Sequence, residues 1–233
     1  MLLAVMLLYV GAVLLVNGIW LVGQARAAEL APAGDAASSS NDPILLENRE
    51  VTVINVFTGF VGLVCASTLL IQGNKAGDLA SVRGGGFILL FAFTYLWVAL
   101  NTYFGANGRA FGWYCLFVAI TAIPAAYYTF KDANGDDASI WLGIDWLAWS
   151  VLWFLFFLLL ALQRPVARVT GMVAIIEGIA TAWIFRDERP TLGTVIGGLL
   201  LLLGVLVTAV SRRRRPRPER DGLVSNPGEV FTR

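Results

Sequence analysis

The stretch that decides the fold runs from Ile140 to Leu162 and reads IWLGIDWLAWSVLWFLFFLLLAL. It is apolar apart from one aspartate, and at 1.5 Å per residue a helix of this length crosses a hydrocarbon core of about 30 Å. Trp146, Trp149 and Trp153 recur at spacings of three and four, so they share one side of that helix. Tryptophans in membrane helices usually lie near the ends, where the indole N–H reaches the headgroups. These three begin a turn or more inside, which predicts that they face a partner other than lipid.

The composition of the whole chain also indicates a membrane protein. Of 233 residues, 58% are hydrophobic and 14% are charged, with a mean hydropathy of +0.72, whereas soluble proteins carry roughly a quarter charged residues. The sequence contains no histidine, which removes the commonest metal ligand and general base. Its two cysteines match no metal or redox spacing. We therefore predict a polytopic membrane protein that is not an enzyme, holds no cofactor or metal, and binds no nucleic acid.

The apolar runs divide the chain into seven predicted helices. They cover residues 2–23, 51–71, 84–104, 111–130, 140–162, 167–185 and 191–210. The predicted fold is all-α: a six-helix channel bundle over 1–185 that encloses a pore, followed by a seventh transmembrane helix over 191–210. Residues 24–50, rich in Ala, Ser, Gly and Pro, are predicted to form a mobile loop. Residues 211–233 are predicted to be a basic, disordered cytoplasmic tail.

The orientation follows from the distribution of Lys and Arg, which concentrate on the cytoplasmic side. With the N-terminus outside, twelve of the seventeen basic residues fall inside and five fall outside. The inner set is Arg26, Arg49, Arg109, Arg164, Arg168, Arg212, Arg213, Arg214, Arg215, Arg217, Arg220 and Arg233; the outer set is Lys75, Arg83, Lys131, Arg186 and Arg189. The sequence thus predicts an external N-terminus and a cytoplasmic C-terminus.

Two acidic residues lie within the predicted spans. Glu177 lies about ten residues, or about 15 Å, from either end of its helix. An ionisable group at that depth is costly and usually faces the bundle interior or a water-filled path. Asp145 lies about 8 Å from the outer end of its helix. It could lie at the outer mouth in contact with water, or it could face the pathway.

Two further helices carry stripes that could face the same interior. Leu7, Val10, Leu14 and Asn17 share one side of the first helix, and Phe93 and Trp97 lie one turn apart in the third. Aromatic and aliphatic walls with isolated polar groups do not replace the hydration shell of an ion. A small, neutral, planar molecule with its own donors and acceptors loses much less on entry. Urea and short amides fit that description.

The residues also resemble a known family. The stretches are LLYVGAVLLVNGI (7–19), FAFTYLWVALN (91–101), FGWYCLFVAITAIPAA (111–126), WLAWSVLW (146–153) and AIIEGIATAWI (174–184). They are similar to the urea channel and amide transporter family, AmiS/UreI. The resemblance implies six helices around a pore in each protomer and six protomers around a lipid-filled centre. It also implies passive passage of urea or a short aliphatic amide across a bacterial inner membrane, paired with a cytoplasmic urease or amidase.

The resemblance further implies two constrictions in the pathway. The outer one would contain Val10, Leu14 and Trp146, and the inner one would contain Leu7, Phe93, Trp149, Leu152, Trp153 and Glu177. This chain departs from a known family pattern at Leu142, where that pattern has a tryptophan, and at Trp97, where it has a tyrosine. Leu142 and Asp145 are candidates for the outer mouth. Acid gating in one known channel of this family is associated with histidines in its outer loops. The outer loops here have no histidine, so we expect a pore that is not gated at neutral pH.

The sequence gives less support to other classes of function. Glu177 could carry a proton in a secondary active transporter of small amides, which would accumulate its substrate against a gradient. The sequence contains neither a broken helix nor an inverted repeat that would support such a mechanism. A membrane enzyme lacks a histidine, paired carboxylates at one depth, and a nucleophile beside a base. A structural assembly protein remains the third alternative, which solute flux would exclude.

Overall fold

The computed structural model describes residues 2–30 and 44–187, which form six helices. In chain order they are α1 (Leu2–Leu30), α2 (Asn48–Ala76), α3 (Leu79–Phe104), α4 (Arg109–Asp132), α5 (Asp137–Leu160) and α6 (Ala167–Asp187). Within this part of the chain, α1 to α5 are long and apolar enough to cross a membrane. The prediction of an all-helical membrane protein is therefore confirmed. The predicted seventh helix over 191–210 and the tail over 211–233 lie outside the described residues.

The predicted loop over 24–50 is shorter than the sequence suggested. Helix α1 continues to Leu30 because residues 25–30, ARAAEL, are mostly strong helix formers. The chain returns against the end of α1, where the Gln24 side chain donates to the Leu46 carbonyl at 3.1 Å and Trp20 donates to the Asn48 side chain at 3.0 Å. Within this predicted loop, residues 31–43 lie outside the described part of the structure.

The six helices form a closed ring. The backbone of each helix packs closely against that of the next one along the chain, and α6 packs in the same way against α1. Neighbours are antiparallel, because residue numbers rise along one helix as they fall along the other. Between α1 and α2, Tyr9 contacts Thr58 and Asn17 contacts Asn55. Between α4 and α5, the contacts are Phe130 with Gly143 and Ala119 with Ser150. It follows that α1, α3 and α5 run in one direction, and α2, α4 and α6 run in the other.

Glycines make the contact between α1 and α6 that completes the ring. Gly11 and Gly18 of α1 face Gly178 and Gly171 of α6, so both helices repeat glycine at a spacing of seven. A Cβ atom added to Gly18 would lie 2.6 Å from the Gly171 carbonyl oxygen, and one added to Gly178 would lie 2.8 Å from the Gly11 carbonyl oxygen. Only glycine allows backbones to approach this closely, which is how small residues hold membrane helices together.

The outer surface of the ring is apolar. On α2 the exposed side chains include Phe57, Phe60 and Val64, and on α4 they include Trp113 and Phe117, all of which are more than half exposed. A soluble protein seldom exposes so many large apolar groups on one surface. These faces suit lipid or a neighbouring protomer.

Two aspartates begin helices at the same end of the ring. Asp78 precedes α3 and accepts backbone N–H bonds from Ala80 and Ser81, and Asp136 precedes α5 and accepts one from Ser139. Such caps satisfy N–H groups that the first turn of a helix leaves unpaired. They therefore define where α3 and α5 start, and so the register of the side chains that these helices present inside the ring.

Candidate functional site

Four aromatic residues meet inside the ring, and we call them the aromatic cluster: Phe91 of α3 with Trp146, Trp149 and Trp153 of α5. The Phe91 ring centroid lies 4.9, 4.8 and 4.3 Å from those of the three tryptophans, always edge to face. All four side chains are buried. Edge-to-face contacts of this kind are worth about 0.5–1.5 kcal/mol each beyond the area buried. The tryptophans therefore face the ring interior and not lipid.

Two small cavities lie on either side of Phe91. One, of about 20 Å³, is lined by Met6, Leu7, Val10, Ile88, Phe91, Leu142, Trp146 and Trp149. The other, of about 30 Å³, is lined by Leu14, Asn17, Phe91, Thr94, Tyr95, Val98, Phe111, Trp149, Leu152, Trp153 and Phe156. Each can hold about one or two water molecules. Phe91 and Trp149 belong to both linings, so these two rings separate the cavities.

The structure changes the expected grouping of the pathway residues. Leu7 lines the first cavity together with Val10 and Trp146. Leu14 lines the second cavity together with Leu152 and Trp153. The expected outer constriction had placed Leu14 with Val10 and Trp146, and the inner one had included Leu7. Because α1 and α5 run in the same direction, rising residue numbers advance along both together. Leu7 therefore lies beside the first cavity with Trp146, and Leu14 lies beside the second cavity with Trp153.

Two predicted pathway residues lie elsewhere. The prediction for Phe93 is wrong: its side chain is 45% exposed on the outer surface, and Phe91, which is 4% exposed, occupies the interior position. Trp97 packs between α3 and α4, with ring centroids 5.7 Å from Phe111 and 5.2 Å from Tyr114, and it lines neither of the two cavities described above. The spacing of four that linked Phe93 to Trp97 identified one side of α3, but not the side that faces inward.

A second set of residues, which we call the polar row, runs along the contact between α5 and α6. It consists of Asp145 and Trp149 on α5 and Glu177 and Thr181 on α6, each pair one helical turn apart. All four are buried, yet among the described residues Asp145 Oδ2, Trp149 Nε1, Glu177 Oε2 and Thr181 Oγ1 have no hydrogen-bond partner. A buried polar group left unpaired costs about 1–3 kcal/mol. Four such groups on two helices that pack together indicate a place where water or another small molecule supplies the missing bonds.

The neighbours of Asp145 favour one of the two positions that the sequence left open. Its side chain is 5% exposed and adjoins the Thr181 hydroxyl without closing a hydrogen bond. Glu177 lies within electrostatic range of both Asp145 and Tyr95. Asp145 is therefore buried beside α6, which favours the pathway position over the outer mouth. Leu142 is half-buried and lines the first cavity beside Trp146.

The interior residues that sequence reasoning missed include Phe91, Thr94, Tyr95 and Thr181. Thr94 and Tyr95 are buried on α3, and Thr181 is buried on α6. Their hydroxyl groups were the available signal, since lipid offers no partner to a hydroxyl. Phe91 lies one turn before Thr94 and Tyr95, so those two residues would have identified the inward side of α3.

The arrangement is suited to hydrogen bonding. Among the described residues, no group of three or more His, Cys, Asp or Glu side chains could hold a metal ion. Trp149 offers an N–H donor, two carboxyl groups offer acceptors, and Thr181 offers a hydroxyl. The walls of the two cavities are mostly aromatic and aliphatic, with Asn17, Thr94 and Tyr95 as polar members. This is a surface for a small molecule that both donates and accepts hydrogen bonds.

Known proteins share these features. The family described as AmiS/UreI family transporter matches residues 44–185. A protein of Mycolicibacterium smegmatis, provisionally named an amidate substrates transporter protein, is 37% identical over 177 residues, which are 76% of this chain and 70% of that protein. The acid-activated urea channel of Helicobacter pylori (strain J99) is 34% identical over an alignment that covers 78% of this chain and 94% of the channel. A closed-state structure of the Helicobacter pylori urea channel aligns with a TM-score of 0.62 and 33% identity, covering 86% of this chain and 97% of that one. The chain therefore belongs to the AmiS/UreI family of transporters.

Proposed function

We propose that this protein is a facilitative channel for urea or short aliphatic amides in a bacterial inner membrane. One observation carries the proposal: four polar atoms of the polar row have no hydrogen-bond partner among the described residues, and one of them, Trp149 Nε1, belongs to a residue that lines two cavities with mostly aromatic and aliphatic walls. Trp149 belongs to both sets and lines both cavities, so it connects the hydrogen-bonding groups to the space. The names of the relatives, a urea channel and an amidate transporter, support the same class of permeant.

The chemistry of this interior favours a neutral, flat permeant. A carbonyl oxygen can accept from the Trp149 N–H, while the N–H groups of an amide can donate to the carboxyl oxygens of Asp145 or Glu177. A planar molecule can also slide along the faces of indole and phenyl rings. A hydrated ion would lose its water and find no ring of charges or carbonyls to replace it.

Stopped-flow measurements on proteoliposomes test this function. We expect urea and acetamide to equilibrate at least about tenfold faster than in protein-free liposomes, since the polar row offers bonds that lipid does not. Glycerol, which is not planar, should enter little faster than in the control. Equal rates in both kinds of liposome for urea and acetamide would contradict the proposal. Faster entry of all three solutes would contradict its selectivity.

Proton-coupled transport of small amides is the second candidate, because two buried carboxyl groups, Glu177 and Asp145, lie within electrostatic range of each other. The two mechanisms predict different end points for labelled acetamide. A passive channel brings the internal concentration to the external one and no further, with or without a proton gradient. Accumulation above the external concentration, abolished in Glu177→Gln, would favour the coupled transporter.

We expect urea flux to be similar at pH 7.5 and pH 5.5. The sequence has no histidine, the side chain that ordinarily titrates in this interval. At the helix starts, hydrogen bonds from Ser81 and Ser139 lower the pKa values of Asp78 and Asp136 below the usual value of about 3.9. A lowered folded-state pKa gives stability that is complete above the unfolded-state value and is lost as the pH falls through the folded-state value. Both caps are thus intact across the interval, and flux that appears only below about pH 6 would contradict this prediction.

The same proposal includes the orientation of the chain in the membrane, its oligomeric state and its partner enzyme. We place the N-terminus outside and the C-terminus in the cytoplasm, on the distribution of basic residues. We propose a homohexamer around a lipid-filled centre, for which the apolar outer faces of α2 and α4 offer contact surface. A cytoplasmic urease or amidase would consume the permeant and so maintain its inward gradient.

A further inference from the structure

Two buried asparagines, which we call the asparagine pair, face each other between α1 and α2. Asn17 is 7% exposed and Asn55 is fully buried. Their amides exchange two hydrogen bonds: Asn17 Nδ2 donates to Asn55 Oδ1 at 3.1 Å, and Asn55 Nδ2 donates to Asn17 Oδ1 at 2.7 Å. Packing between two apolar helices does not require such a pair, and each amide would cost free energy if left alone in this interior.

A third bond fixes which way both amides point. Asn55 Nδ2 also donates to the Val51 carbonyl oxygen at 2.9 Å, one turn earlier in α2. A carbonyl oxygen only accepts, so the nitrogen of Asn55, and not its oxygen, must occupy this position. The nitrogen and oxygen of Asn17 are then assigned as well, because they must complement Asn55. Val51 thus sets the orientation of Asn17 through Asn55.

Asn17 keeps hydrogen-bonding capacity on its other side. An amide has two N–H donors and two acceptor lone pairs, and the exchange with Asn55 uses one of each. Asn17 lines the 30 Å³ cavity together with Leu14, Trp149 and Trp153, whereas Asn55 does not. One N–H and one lone pair of Asn17 are therefore available at a cavity whose other named members are mostly apolar.

We propose that Asn17 is a hydrogen-bonding site for the carboxamide group of the permeant, and that Asn55 is the positioning residue that holds it. The inference rests on the proposed function. A fixed amide presents its donor and its acceptor in constant positions, which suits the planar, constant arrangement of C=O and N–H in urea or acetamide. A polyol such as glycerol has rotating hydroxyls and gains less from that arrangement. Asn17 and Asn55 would therefore raise the ratio of urea to glycerol permeability.

A double-mutant cycle tests the division of roles. We expect Asn17→Ala and Asn55→Leu each to lower the urea-to-glycerol ratio about three- to tenfold, the worth of one hydrogen bond. Because Asn55 acts only through Asn17, Asn55→Leu should cause no further decrease in the Asn17→Ala background. Thr58→Val is the matched control: Thr58 is buried on α2 and bonds the Tyr9 carbonyl of α1, but it lines neither cavity. Its variant should keep the wild-type ratio.

The outcomes separate this inference from the proposed function. Wild-type protein that passes neither urea nor acetamide would end both. Wild-type flux with an unchanged ratio in Asn55→Leu, or a further decrease in the double variant, would overturn the asparagine assignment alone. A lower melting temperature with an unchanged ratio would identify the pair as merely structural. If Asn55→Leu does not assemble, Asn55→Asp replaces it, because this variant keeps the size of the side chain but loses both N–H donors, and the same ratio decides.

Discussion

Replacement of Phe91 by alanine should destabilise the protein by about 3 kcal/mol, the usual cost of removing a buried phenyl ring. Phe91 makes edge-to-face contacts with three tryptophans and separates the two cavities. Without its ring the cavities join into one wider space. We therefore expect glycerol to enter, so that the preference for urea over glycerol decreases about tenfold, a loss typical of an altered pocket. Thermal unfolding in detergent and stopped-flow entry of both solutes measure the two effects.

Phe93→Ala is a matched control for this prediction. It removes the same ring from the same helix two residues later, at a position that is 45% exposed. We expect its melting temperature and its solute preference to stay near those of the wild type. Equal effects of the two variants, or a larger effect of Phe93→Ala, would mean that α3 turns its other side inward.

Most of the fold could be predicted from the sequence, because the bilayer imposes strong constraints on a chain. Apolar runs of about twenty residues locate the helices, and each of the first six predicted helices corresponds to one in the structure. The ends of the helices were harder to predict. Residues 25–30 extend α1 because they favour helix and because the chain packs back against that end, and such contacts are not visible in composition.

The rotation of each helix was harder to predict than its position. In a soluble protein the polar side of a helix marks the outside, but in a membrane both lipid and the interior accept apolar side chains. Trp146, Trp149 and Trp153 could be placed because an indole N–H needs a partner. Phe93 could not be placed, because a phenyl ring has no polar group and is equally stable in lipid and in the protein interior. The polar neighbours Thr94 and Tyr95 held the missing information about α3.

The level of each residue along the pathway depended on helix direction. Leu7 and Leu14 were expected at the wrong levels because their assignment came from the family resemblance and not from counting along parallel helices. Asn55 was not singled out, because its bonds to Asn17 join two separate helices. The pairing of segments is a property of the folded ring.

A bulky group attached at position 14 should close the pathway. Leu14 is 5% exposed and lines the 30 Å³ cavity with Trp149 and Trp153. That cavity has no room for a further aromatic ring. In a Leu14→Cys variant whose native cysteines, Cys65 and Cys115, are replaced by alanine, benzyl methanethiosulfonate would add such a ring through a disulfide bond. We expect the modified protein to lose urea flux at least about tenfold.

Urea flux through Leu14→Cys proteoliposomes, before and after modification, is the most direct measurement of whether the permeant passes along the aromatic cluster. Phe93→Cys in the same background is the matched control, and the mass of the intact chain verifies labelling in both. We predict that modification at position 14 reduces flux to the rate of protein-free liposomes and that a reducing agent restores it, while modification at position 93 changes little. Unchanged flux through fully labelled Leu14→Cys protein would contradict a pathway between α1, α3 and α5.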